Sequence, residues 1–98
     1  FGQTIRYTQT GEGANTIRVY EFQCSDNPRI FFAYLEDSLP RVRWVSNKYV
    51  AWMNAMTQQQ TIMLYEKDCK QLSVLAGSEE NGQWTYTIIL KEVGVEFS

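Results

Sequence analysis

Apolar and polar positions alternate most cleanly over residues 84–91, where Trp84, Tyr86, Ile88 and Leu90 fall on one face and Thr85, Thr87 and Ile89 on the other. A period of two over eight residues is the signature of a β-strand. Residues 4–9 alternate in the same way, with Ile5 and Tyr7 against Arg6 and Thr8, as a half-buried strand does. Residues 16–24 form the next predicted strand. Their apolar phase moves from odd positions (Ile17, Val19) to even ones (Tyr20, Phe22, Cys24), which predicts a bulge or a crossing between sheets. With the glycine- and asparagine-containing stretch 11–15 between them, 4–9 and 16–24 read as a hairpin.

Farther on, apolar runs at 49–56 and 61–65 are separated by a polar connection at 57–60. A charged hinge at 66–70 then leads to a third run at 72–75. Runs of this length between polar turns predict successive strands. Residues 41–45 alternate as well, Arg41, Arg43 and Val45 against Val42 and Trp44, and Ser46 and Asn47 follow as a turn. Residues 77–82, with two glycines, read as an exposed loop, and 93–97 as further pairing after a kink at Gly94.

Residues 27–40 carry two conflicting signals. Asn27 suits a helix N-cap and Pro28 the first helical position. Ile30, Phe31, Tyr34, Leu35 and Leu39 share one helical face, and Pro40 would end the helix. The aromatic run at 31–34 favours a strand over 30–35 by composition. The local signals leave helix and strand even.

Ninety-eight residues make one domain. The apolar fraction of 44% and aromatic fraction of 14% are those of a folded chain. Net charge is −2, with a mildly basic first half and an acidic second half. That imbalance is too mild to imply nucleic acid or a membrane surface as partner, and no apolar run is long enough to span a bilayer. A start at Phe1 fits a mature secreted protein, and equally an excised domain. The two cysteines, Cys24 and Cys69, allow one bridge, worth about 4 kcal/mol on the chain-entropy view. Two free thiols in a reducing compartment are the alternative.

Candidate chemistry is sparse. Histidine is absent, which removes the commonest general base and zinc ligand. No base pairs locally with Ser38, Ser46, Ser73 or Ser78. The acidic pairs Glu36/Asp37, Glu66/Asp68 and Glu79/Glu80 fall at predicted turns, where carboxylates ordinarily face water. Asp26, Glu79 and Glu80 lack the ordered spacing of a calcium site, and Gly11-x-Gly13 is too short for a phosphate loop. The sequence therefore predicts no catalytic residue, no metal site and no cofactor. The tryptophans and tyrosines read first as core, since most alternate in phase with aliphatic residues. The one basic cluster is Arg41 and Arg43 beside Trp44, with Lys48 near. It reads either as a solvated strand face or as a protein-docking face, because Arg and Trp anchor interfaces.

The strand spacing at 16–24, 30–35, 49–56, 61–66, 70–75 and 84–91, with Cys69 within Lys67-Asp68-Cys69-Lys70 ahead of the fifth of these strands, resembles the MAX family of small secreted effectors of plant-pathogenic fungi. The resemblance spans 16–91, with short extensions at both ends. It implies an all-β fold: a six-stranded antiparallel β-sandwich with a Cys24–Cys69 disulfide, and strand rather than helix at 30–35. It also implies a secreted, non-enzymatic monomer, translocated into host cells, that binds a host protein such as the heavy-metal-associated domain of an immune receptor. Docking would use an edge strand, with 30–35 or 41–45 as candidates and Arg41, Arg43 and Trp44 as the protein-binding residues. The rival readings are a secreted or periplasmic inhibitor of a lysozyme-like enzyme, acting through the loop at 77–82 or 11–15, and an α+β domain with a helix at 27–39, such as a secretion-system or structural subunit. A sugar-binding aromatic surface is the fourth.

Overall fold

A computed structural model describes residues 2–11, 16–57 and 62–92. The chain forms strands β1 (Gln3–Thr10) and β2 (Ile17–Cys24), helix α1 (Pro28–Ser38), a 3-10 turn (Pro40–Val42), and the two-residue strand β3 (Val45–Ser46). Helix α2 (Lys48–Thr57) and strands β4 (Ile62–Lys67), β5 (Lys70–Glu80) and β6 (Gln83–Glu92) complete it. All six strands belong to one antiparallel sheet of order β1-β2-β6-β5-β4-β3. The expected antiparallel β-rich chain is therefore present, but its second layer is a helix.

Register explains which face α1 covers. Cys24 stands opposite Trp84, Phe22 opposite Tyr86, Tyr86 opposite Ala76 and Val74 opposite both Ile88 and Met63. These side chains share one face, and Phe31 and Phe32 of α1 bury themselves among them. Phe32 and Tyr86 are 0% exposed. The Phe31 ring lies 4.2 Å from that of Tyr86 and 5.7 Å from that of Phe22. Leu35 and Leu39 pack against the same cluster. The other sheet face carries the half-buried Val19, Ile89, Leu64 and Leu75 between Thr and charged positions.

Several expectations require correction. Residues 30–35 are helical, because the Asn27 side chain accepts a 3.0 Å hydrogen bond from the Ile30 N–H and Pro28 opens the first turn. Residues 49–56 are also helical: Asn47 Oδ1 accepts from the backbone N–H of Tyr49 and Val50, each at 3.1 Å. Residues 41–45 contribute only Val45 to a strand. The phase change along β2 is not a bulge, since its register with β6 is unbroken and both of its faces carry apolar side chains. The irregularities lie at Thr4/Arg6 and Ala76/Glu79. The predicted loop 77–82 is mostly β5, ending in a tight turn in which Asn81 (φ 54°) and Gly82 (φ 78°) supply the positive angles of a hairpin. The expected strands 4–9, 16–24, 61–66 and 84–91 are found with shifted ends. Most of the 11–15 loop and of the 57–60 connection, and all of 93–97, lie outside the described residues.

The disulfide is absent: Cys24 is buried, Cys69 is exposed, and both are free. Cys24 is opposite Trp84 at one end of β6. Cys69 precedes Lys70, which is opposite Glu92 at the other end. At about 3.3 Å per residue, those ends stand roughly 25 Å apart, whereas bridged Cα atoms lie within about 7 Å.

Candidate protein-docking cleft

The segment after α1 is folded by its own backbone. Leu39 caps the helix and its carbonyl accepts 3.1 Å hydrogen bonds from the N–H groups of both Val42 and Trp44. The Arg43 N–H donates to the Pro40 carbonyl at 3.1 Å, and Arg43 itself adopts φ 71°. A long side chain in the left-handed region is strained by about 1–2 kcal/mol, and such strain concentrates where chains bind. The turn aims Arg41, Val42 and Arg43 outward, all exposed, and delivers Val45 to the sheet edge opposite Glu66.

Arg41, Val42, Arg43 and Val45 form one wall of an open cleft of about 610 Å³, and Glu66, Lys67 and Asp68 form the other. Arg41 reaches Asp37 at 3.2 Å across the end of α1. With both side chains solvated, such a pair contributes little stability, and a partner's carboxylate can displace it. Glu66 Oε1 accepts from Asn47 Nδ2 at 3.4 Å, so the residue that caps α2 also leans on the cleft wall.

Arg41 and Arg43 are thus brought to one concave surface, while Trp44 stands behind it. Trp44 is half-buried against the core, with Lys67 Nζ 5.8 Å from its ring centroid, a cation–π distance. It is not among the residues that line the cleft. Among the other tyrosines and tryptophans, Tyr65 and Tyr86 are core, whereas Tyr7, Tyr34, Tyr49 and Trp52 are exposed. Burial, and then the charge of Glu36, raises the Tyr65 pKa; this tyrosine serves packing.

The carboxylate pairs take unlike positions. Glu36 and Asp37 are exposed on α1, Glu79 and Glu80 end β5, and only Glu66 and Asp68 share the cleft. Among the described residues no cluster of three acidic or thiol groups is arranged to hold a metal ion. The sequence reading missed the exposed row on α2, which the spacing 49, 52, 53, 56 behind Asn47 encodes. No protein family, curated protein or solved structure matches the chain.

Proposed function

We propose that the protein is a non-enzymatic docking domain that binds another protein at the cleft between the 3-10 turn and the end of β4. The observation that carries this reading is the convergence of Arg41 and Arg43 on a concave surface beside the two-residue edge strand β3. Arginine forks read carboxylates bidentately, and a short edge strand leaves neighbouring N–H and C=O groups for an added segment. The secreted-effector role implied by the family resemblance is one use of such a surface, with a host protein as the partner. That part of the proposal stands on the resemblance alone, without the bridge and the 30–35 strand.

The test is affinity capture from host-plant extract with the wild type and with an Arg41→Glu/Arg43→Glu variant of unchanged circular dichroism. Proteins captured by the wild type and lost with the variant support the reading. Identical captured sets dispose of it.

The inhibitor reading retains one observation. The β5–β6 hairpin ends in exposed residues through Gln83, tipped by Asn81 and Gly82 with Glu79 and Glu80 beside them, a shape suited to an enzyme cleft. Undiminished turnover of a lysozyme in the presence of the protein would remove it.

A further inference from the structure

Asn81 is the only asparagine in the chain that is followed by glycine, and it stands at the tip of the β5–β6 hairpin. Glycine has no Cβ, so its backbone nitrogen lies open to bond with the side-chain carbonyl carbon of the asparagine before it. At two other asparagines that approach is blocked. Asn27 precedes Pro28, whose nitrogen carries no hydrogen, and its Oδ1 is engaged by the Ile30 N–H. Asn47 Oδ1 accepts from two backbone N–H groups while its Nδ2 donates to Glu66. Among the described residues, no hydrogen bond or ion pair holds the Asn81 side chain.

The hairpin tip can open by itself. Residues 77–83 are exposed. The β5–β6 register shifts between Ala76 and Glu79, and beyond that irregularity Glu79 pairs with Trp84 and Glu80 with Gln83. Asn81 and Gly82, with φ of 54° and 78°, form the turn outside the ladder, and nothing stands within 4 Å of where a Gly82 Cβ would be. Closing a ring between Asn81 and Gly82 requires this turn to relax. Parting the two exposed pairs leaves the core around Phe32, Val74 and Tyr86 intact, and a local opening of that kind costs far less than global unfolding.

We infer that Asn81–Gly82 is a site of spontaneous deamidation, which converts Asn81 to isoaspartate in the folded protein. Base removes the Gly82 amide proton as that nitrogen bonds to Asn81 Cγ. The Cγ–Nδ2 bond breaks, and the side-chain nitrogen takes up a proton and leaves as ammonia. Water then opens the cyclic succinimide. Cleavage at the Asn81 backbone carbonyl leaves the chain running through the former side chain, as isoaspartate; cleavage at Cγ gives aspartate. One water is consumed and one ammonia released, and nothing is oxidised or reduced. Isoaspartate puts an extra carbon into the backbone of a two-residue turn whose geometry sets the strand register. It also adds a carboxylate beside Glu79 and Glu80. The tip therefore frays, while the docking cleft, which adjoins the Lys70 end of β5, is untouched.

The experiment is incubation of the full chain at neutral and at mildly alkaline pH, read by peptide mass spectrometry and by labelling with an isoaspartyl methyltransferase. The native protein is expected to gain one mass unit and the label in the peptide holding Asn81. The gain is expected to quicken as pH rises, because base takes the Gly82 proton. Asn81→Gln is expected to lose the label, since its longer side chain closes a larger ring far more slowly. Wild type unfolded in urea serves as a reference that does not depend on a variant folding, and the native gain is expected to proceed alongside it. Absence of the gain at Asn81 in the native protein overturns the inference; if the unfolded chain shows it, the turn protects its own asparagine. Label retained by Asn81→Gln overturns it too and places the reaction at another residue.

Discussion

The Tyr86 hydroxyl donates a 2.6 Å hydrogen bond to the backbone carbonyl of Asp26, pinning the middle of β6 to the loop that feeds α1. The next residue, Asn27, caps that helix. The Tyr86 ring lies 4.2 and 6.2 Å from those of Phe31 and Phe32. One side chain therefore fixes both where the helix starts and which of its faces meets the sheet. A tyrosine whose ring is apolar and whose tip finds a buried-side acceptor is suited to that double task.

Replacing Tyr86 by Phe keeps the ring and removes the donor. Asp26 is half-buried and the bond is part-buried, so the loss is expected to be that of one ordinary hydrogen bond, about 1 kcal/mol. Urea denaturation measures it. An unchanged midpoint would show that the bond does not anchor the helix entrance.

The same residue gives the fold an alkaline limit. Burial, with negative charge at Cys24 and Asp26 adding to it, holds the Tyr86 phenol well above its ordinary value. The folded chain therefore keeps this proton after the unfolded chain has lost its own near pH 10. The stabilisation is complete below that pH and declines as pH rises through and beyond it. Stability of the wild type is expected to fall more steeply above about pH 10 than that of Tyr86→Phe, which retains only the smaller effect of Tyr65. Equal slopes would contradict the assignment.

Free cysteines at opposite ends of β6 make a chemical prediction. One thiol, exposed Cys69, is expected to react with a disulfide reagent in the native state, and buried Cys24 only after denaturation. Adding reductant is expected to leave the thermal midpoint unchanged. A native count of zero thiols, or a midpoint lowered by reductant, would mean a bridge that this strand register does not permit.

How far the fold can be read from the residues depends on how local the deciding interaction is. Residues 84–91 are legible because a strand covered on one face by a helix writes its environment into alternate positions. Asn27 and Pro28 are legible because a helix cap is satisfied within three residues. Residues 49–56 were not, since Val50 and Ala51 fill the gaps between the exposed apolar positions and make the run look continuous; Asn47, which reads equally as turn or cap, was the deciding signal. Residues 41–45 alternate like a strand, yet the Leu39 carbonyl captures two N–H groups first and curls the segment into a 3-10 turn. The separation of Cys24 and Cys69 depends on the pairing of β6 with β2 on one side and β5 on the other, which no local pattern records. Of the cleft, the arginine pair was legible, and the wall from β4 was not, for the same reason.

Arg43 separates stability from docking, because its side chain and its backbone make opposite contributions. The left-handed φ of 71° strains any residue with a Cβ by about 1–2 kcal/mol and leaves glycine unstrained. Glycine also loses more chain entropy on folding, which returns part of that gain. Arg43→Gly is therefore expected to leave the domain as stable or more stable, by up to about 1 kcal/mol, in chemical denaturation. Arg43→Ala keeps the strain and removes only the guanidinium, so its stability is expected to match the wild type. If the cleft docks a partner through Arg43, both variants lose capture of that partner to the same degree despite their different stabilities. Retained capture by Arg43→Gly would mean that the strained residue serves the turn alone, and the docking role would pass to Arg41.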